Sequence, residues 1–561
     1  MKHFFIFLII SAFVFSTGFI ARDRIFYDNP ENLLIITHPD WNSRETISSR
    51  MSFLGDSDIS APLFINGKEI ARTPSGFFTY YAELELGENV FVIVNGEHIE
   101  TIVITRNEAG IWTPPETFYF TQEIFGSTES DFISRFAYFD DDLHGRTPLM
   151  SGTTFRILGE RGDMYVLGDG TMVFQNSVFQ INRAIRDLTV SGGEVIMNRN
   201  RASVNFNVTD NPLYEVLLNG NTATLILYAD IDESELRHYA VLSGISSITK
   251  SAQESPSAII YDITFEREPI GFLVDFSGGR MNIIFRFRPA SLSEAVVLLD
   301  AGHGGTDPGA LGPPGELGAM EKDFNFYVAE IARDYLESLG VNVIFLRDKD
   351  EFINIFDRIA YFDLEPDIVV SVHANSMPLT ADFSSVFGPL MFYTLEHSGQ
   401  AADDMIRLII AEMSDFLGTS TLFTSLPDNT ASLPHRRRNF AMARYTGGPS
   451  MLFEMGFLCN PEEYELLLNL GYLDRMGKAL GMSIAQWLTG SEQLPINSVQ
   501  LAVSEPQTEI YKLEEDALPV FMQSPRIYRG GAPPFRNYIV LVVSVLICGL
   551  AFWLPNVIKR R

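Results

Sequence analysis

Four short stretches in the C-terminal half of the chain carry the residues able to do chemistry: Asp300-Ala-Gly-His303-Gly-Gly, Glu321-Lys322, Ser371-Val-His373-Ala-Asn375 and Glu454-Met-Gly-Phe457. Together they offer two imidazoles and a carboxylate for a metal ion, plus one more carboxylate to act on water beside it. Two histidines and a glutamate with a fourth position left open are the ligand set of a catalytic zinc, whereas a closed four-ligand shell is structural. The last glutamate then has a role as general base and later general acid in metal-assisted hydrolysis. The expectation is a hydrolase that uses one zinc ion. Gly302, Gly304 and Gly305 are expected to leave room for His303 to bend toward the metal. A phosphate-cradling loop is the rival use of such glycines, but no Gly-Lys-Ser/Thr follows.

Such residues need a scaffold, and the periodicity from Ala295 onward supplies one. Val296-Val-Leu-Leu299 reads as a buried strand, and Phe324, Val328, Ile331, Tyr335 and Leu339 mark one face of a helix. Val341–Leu346, Asp367–Val372, Pro389–Tyr393 and Met451–Phe453 read as further strands, with helical stretches near 398–416 and 473–488. Strands alternating with helices predict a parallel or mixed α/β sheet covered on both faces. Open α/β sheets collect function at the carboxyl ends of their strands. His303, His373 and Glu454 each follow or end a strand, and Glu321 opens the first helix, so all four can meet at one edge.

With the motifs placed, residues 295–490, about a third of the chain, resemble the zinc-dependent N-acetylmuramoyl-L-alanine amidases of the family 3 type. The His-Gly-Gly loop, the Glu-Lys helix start, Ser-Val-His-Ala-Asn and Glu-x-Gly-Phe-Leu-x-Asn-Pro occur in the family's order. The resemblance implies that His303, Glu321 and His373 bind zinc and that Glu454 is the catalytic carboxylate. It also implies hydrolysis, in peptidoglycan, of the amide joining N-acetylmuramic acid to the first L-alanine of the stem peptide, for wall remodelling or cell separation. The rival readings are a catalytically inactive peptidoglycan-binding scaffold and a zinc peptidase acting on stem-peptide cross-links.

Several residues around these motifs stay open in the sequence. Asp300 and Asp307 are equal candidates to orient a ligand imidazole, and Asn375 stands beside the second histidine. His435-Arg436-Arg437-Arg438 reads as a solvated basic patch, with Arg436 the alternative contact for stem-peptide carboxylates. His397 and His435 read as surface residues, because neither lies at a strand end. Cys459 stands where the family often has a small hydroxyl residue and reads as a buried small side chain. The stretch Asn375–Gly388 is too short for the inserted helix that blocks the site in some relatives. Control is therefore expected from location or from an activating protein partner.

The remainder of the chain reads as β-modules and two apolar ends. Residues 30–115 resemble an immunoglobulin-like sandwich, with strand runs such as Asn89-Val-Phe-Val-Ile-Val94 bounded by glycine turns. Residues 130–188 are similar to SH3-like wall-binding modules, though a tryptophan often found near Tyr165 is missing. Residues 189–290 alternate apolar and polar positions and resemble the β-sandwich targeting module that precedes many cell-wall amidases. Met1–Ala21 has the order of a secretory signal without a clean A-x-A site, so a cleaved signal and an uncleaved anchor both stay open. Residues 491–535 are a polar, proline-containing linker. The apolar run over 538–555, followed by Lys559-Arg560-Arg561, is expected to be a transmembrane helix with a cytoplasmic tail. The expected fold class is thus multidomain: all-β modules, an α/β zinc domain and a C-terminal membrane helix, exported to the cell envelope or periplasm. With 71 Asp and Glu against 41 Lys and Arg, the chain lacks the basic surface a nucleic-acid partner needs. Only Cys459 and Cys548 occur, the latter inside the apolar run, so no disulfide staples the exported part.

Overall fold

A computed structural model describes residues 33–490, apart from 41–43, 111–114, 138–145, 182–188, 199, 232–235, 239–243, 255–256 and 418–434. The first module, 33–106, is a sandwich. Strands Ile35–His38, Arg50–Asp56 and Phe77–Glu83 make a three-stranded sheet that faces a five-stranded sheet centred on Gly87–Asn95. Alternation places Met51, Phe53 and Phe78 of one sheet against Ile65, Ile93 and Ile102 of the other in one core.

A five-stranded antiparallel sheet follows, in the order Met172–Phe174, Met164–Leu167, Thr154–Arg161, Phe118–Thr128, Val178–Ile181. Its long strand Phe118–Thr128 begins before the expected start at residue 130. An alternating run next to Pro114-Pro115 gave no sign of belonging to the sheet that follows. The third module, from Thr189 to Phe287, packs a six-stranded sheet on a four-stranded one. Phe206, Ile283 and Phe285 meet Leu225, Tyr261 and Ile263 in its interior. Fully buried Arg135 ties the second and third modules, bonding Asp169 at 2.9 Å and Glu215.

The C-terminal domain is a mixed six-stranded sheet. Its strands in chain order are β1 (Val296–Ala301), β2 (Asn342–Phe345), β3 (Ile368–Asn375), β4 (Leu390–Tyr393), β5 (His435–Arg437) and β6 (Ser450–Phe457). They lie in the order β2-β1-β3-β6-β4-β5, all neighbours parallel except β4 against β6. The helices are α1 (Glu321–Ser338), α2 (Ile355–Ile359), α3 (Gly399–Glu412), α4 (Pro461–Leu467) and α5 (Leu470–Thr489), with a further single turn over Ser414–Leu417. α4 and α5 start at Asn460 and Asn469, whose side chains accept the first free backbone N–H groups. Gly490, left-handed at φ 63°, ends α5. α1 and α5 cross closely because Gly477 and Gly481 have no side chain: a Cβ at Gly477 would lie 2.6 Å from Ile331. The opposite sheet face is covered by Phe362, Met442 and Tyr445, with Phe132 contributed by the second module.

One part of the expected fold class does not stand. Among the described residues no helix is long and apolar enough to cross a membrane. The longest, α1 and α5, are amphipathic and pack on each other, with Asp474, Arg475 and Lys478 on the polar face of α5. The run 538–555, the leader 1–21 and the linker 491–535 lie outside the described residues. The fold class is corrected to a strand-rich chain in which β-modules lead into an α/β domain, with no membrane-spanning helix assigned.

Candidate metal centre

β1 delivers Asp300 and then the His303 loop. His303 itself is left-handed at φ 59°, a conformation that costs a non-glycine residue about 1–3 kcal/mol and that clusters at functional sites. Two buried arginines hold the loop. Arg358 on α2 pairs with Asp300 and donates to the His303 carbonyl at 2.6 Å. Arg347, after β2, donates to the carbonyls of Ala301 at 3.0 Å and Lys322 at 2.7 Å. Gly304, at φ 132°, lets the Glu351 carbonyl approach to where a Cβ would stand 2.2 Å away. Gly302 makes room for a different ring than expected. A Cβ there would meet the imidazole of His373, not that of His303, at 2.2 Å.

Glu321 is the first residue of α1, where the helix dipole favours a carboxylate. Its Oε2 accepts the Ala310 N–H at 2.7 Å and its Oε1 accepts the Ala374 N–H at 3.3 Å. Oε1 also meets His303 Nε2 at 3.1 Å and His373 Nδ1 at 2.8 Å. One donor atom from each of these three residues lies within 4.8 Å of the others. Bonds of about 2.0–2.2 Å to one tetrahedral ion put donor atoms roughly 3.4 Å apart, so the set fits a single zinc. The electrostatics favour a cation at this point. Burial alone would lower the His303 pKa, yet the Glu321 carboxylate and the Asp307 bond push it up to about 10. Burial opposes ionisation of Glu321, but the two imidazoles hold its carboxyl well below the usual range.

The fourth residue comes from β6. Glu454 is in register with His373 on the neighbouring parallel strand, so the two side chains leave the same face side by side. Glu454 is 8 % exposed, and its Oε2 is buried with no hydrogen-bond partner. Burial, then the charge of Glu321, raises its pKa well above an ordinary glutamate. An acceptor left open beside a cation site is an arrangement for handling a proton.

Of the two orienting candidates, Asp307 meets the ligand ring, with Oδ2 2.8 Å from His303 Nδ1, which turns Nε2 toward the site. Asp300 instead lies beneath the loop, bonded to Arg358 and to the Ser371 hydroxyl at 2.6 Å. Asn375 ends β3, and its carbonyl accepts the Leu458 N–H at 2.8 Å. Arg436 sits apart from the cluster on edge strand β5, paired with Phe392 across β4, while Glu454 pairs with Leu390. His397 and His435 are not the surface residues expected. Each has a buried ring nitrogen without a partner, and burial pulls the His397 pKa down to about 4. Cys459 is fully buried and its thiol is pushed up to about 12 by burial, which leaves it unreactive. Sequence reasoning missed Arg347, Arg358 and Glu463. The available signal was a charged residue placed directly after an apolar strand for Arg347 and inside a short helix for Arg358; Glu463, one of three glutamates in α4, carried no such signal.

The comparisons with known proteins agree with this geometry. The sequence family described as N-acetylmuramoyl-L-alanine amidase matches residues 297–486. This segment is an N-acetylmuramoyl-L-alanine amidase domain. The family and the relatives below carry that name for their own activity. The chain is 29 % identical over 226 residues to N-acetylmuramoyl-L-alanine amidase AmiC of Neisseria meningitidis serogroup B, covering 35 % of this chain and 53 % of that protein. It is 29 % identical over 213 residues to the germination-specific N-acetylmuramoyl-L-alanine amidase of Bacillus subtilis, covering 35 % of this chain and 81 % of the relative. For AmiA of Escherichia coli the identity is 28 % over 222 residues, covering 34 % and 75 %. The chain thus spans about half the length of the first of these relatives, and the likeness leaves its β-modules aside.

Proposed function

We propose that the whole chain is an exported, zinc-dependent peptidoglycan amidase of the cell envelope, with His303, Glu321 and His373 holding one ion and Glu454 moving the proton. The single observation that carries the mechanism is the open Glu454 Oε2 in register with His373, beside a converging His, Glu, His set. Zinc held by His303, Glu321 and His373 would lower the pKa of water toward about 7 and would polarise the amide carbonyl. Glu454 Oε2 takes the proton as water attacks the lactyl carbonyl, and the same oxygen then delivers it to the departing L-alanine nitrogen. Asp307 keeps His303 in the tautomer that presents Nε2, and Arg358 fixes the loop that carries it.

Export is supported by the signal-like order of Met1–Ala21 and by the location of the substrate outside the cytoplasm. An activating protein partner remains part of the proposal, since the short Asn375–Gly388 segment holds only a single turn at Phe383–Ser385. The test is mass analysis of the products from purified full-length protein and peptidoglycan. Intact stem peptides with a free L-alanine amino group, separated from glycan, are the expected products. Cleaved cross-links with the muramyl amide intact would mark a peptidase, and binding without any product would mark a scaffold.

A further inference from the structure

The first β-sandwich touches three segments of the amidase domain, and all three lie at the edge of the sheet where the site is built. Ser52 donates its N–H to the Leu379 carbonyl at 2.7 Å and its hydroxyl to the Ala381 carbonyl at 2.5 Å. Leu379 in turn packs against the sandwich core, while Leu54 of the sandwich joins Phe383, Val386 and Phe457 in the domain's own core. On the other side of the site, the Thr37 hydroxyl donates to the Pro313 carbonyl. The third contact is to α4, where Phe77 packs edge-on against Tyr464 at 5.1 Å and Ser75 N–H donates to Glu465 at 3.0 Å.

The gripped segments are irregular. Residues 377–386 follow ligand His373 and contain only the turn Phe383–Ser385, and residues 310–320 precede ligand Glu321 and contain the turn Gly315–Leu317 within a single bridge, Leu311 to Met320. A loop without its own ladder takes its geometry from whatever satisfies its backbone. The 310–320 loop is linked directly to the ligand, because Glu321 donates its N–H to the Ala310 carbonyl at 3.0 Å and accepts the Ala310 N–H. Exchange of side chains in both directions, Leu379 into the sandwich and Leu54 out of it, makes the contact a shared core.

We propose that the first β-sandwich is a positioning module for the amidase site, with Thr37 and Ser52 as positioning residues that hold the 310–320 and 377–386 loops in working geometry. This rests on the amidase reading above. A loop displaced by a fraction of an ångström shifts Glu321 and the residues after His373, and misplacement on that scale lowers turnover.

The test uses the full-length chain with Thr37→Val, which removes the hydroxyl and keeps the shape, combined with Ser52→Ala. Thr37→Ser serves as the conservative control. The expected result is a fall in kcat of about tenfold, with amide hydrogen exchange accelerated about tenfold in 310–320 and 377–386 and unchanged in α1 and α5. Thr37→Ser retains wild-type kcat and loop exchange. Unchanged kcat and loop exchange in the double variant would overturn the proposal. So would equally faster exchange through α1 and α5 with no rescue by Thr37→Ser, which marks a general packing role. A wild-type chain that frees no stem peptides contradicts the amidase reading, while loop exchange still decides whether the sandwich positions the loops.

Discussion

The two β-sandwiches grip opposite ends of the same sheet, and they do it with different chemistry. The first, 33–106, meets the carboxyl edge through hydroxyls, one shared apolar core and the carbonyls of irregular loops. The third, 189–287, meets the amino edge through a buried ion pair. Arg286 bonds Asp367, just before β3, at 2.6 Å and the Pro366 carbonyl at 2.5 Å. Phe272 N–H donates to the Thr446 carbonyl at 2.7 Å, and Gly271 fits against Gly447 and Gly448 just before β6. The difference teaches that one module fixes where strands begin, which is a matter of stability. The other holds loops that adjoin the ligands, which on the proposal above is a matter of rate.

The comparison can be broken most strongly through pH, because each end holds a buried group that titrates in the opposite sense. At the carboxyl edge Glu463 is buried and accepts the N–H groups of Phe457 at 2.9 Å and Gly388 at 2.8 Å. Burial pushes its pKa up to about 8 despite those bonds. Its folded value lies above the unfolded one, so its contribution is complete below about pH 4.5 and is lost as pH rises through about 8. The loss should be on the order of 5 kcal/mol. Urea unfolding of wild type and Glu463→Gln across that range should show the slope in the first and its absence in the second.

At the amino edge the ion pair is the next largest effect. Arg286→Ala leaves the Asp367 carboxylate buried without its partner, which should cost about 3–5 kcal/mol of stability and leave kcat almost unchanged in the protein that remains folded. A large fall in kcat at retained stability would erase the distinction between the two modules. His397 gives the smaller, opposite pH signal. Its ring lies 6.0 Å from Phe272 of the third module, and burial holds its pKa at about 4. Its folded value lies below the unfolded one, so stability is complete above about pH 6.5 and falls as pH drops toward about 4. The change should be on the order of 3 kcal/mol, and His397→Phe should flatten the unfolding midpoint over that interval.

What was legible in the sequence follows the range of the interactions. Val204, Phe206 and Val208 announced their strand because burial on one face imposes a period of two. That His303, Glu321 and His373 come together was legible because His303 follows β1, His373 lies near the end of β3 and Glu321 opens α1, whereas Glu454 lies inside β6 rather than at its end. Asp307 could not be separated from Asp300, since the choice depends on Arg358, which occupies Asp300 from far along the chain. His397 and His435 read as surface residues because a turn and a short edge strand carry no burial pattern of their own. The docking of Ser52 on Ala381 joins positions 329 residues apart, and no periodicity encodes it. The expected membrane helix over 538–555 is not assigned, because that run lies outside the described residues and no described helix is long and apolar enough to cross a membrane.

The central claim is that Glu454 moves the proton beside a metal it does not bind. The direct measurement is zinc content and turnover of Glu454→Gln on muramyl peptides, side by side with wild type. The account predicts one zinc per chain in both and a loss of about 10²–10⁴ in kcat for the variant. Full activity in Glu454→Gln, or loss of the zinc with the carboxylate, would contradict it.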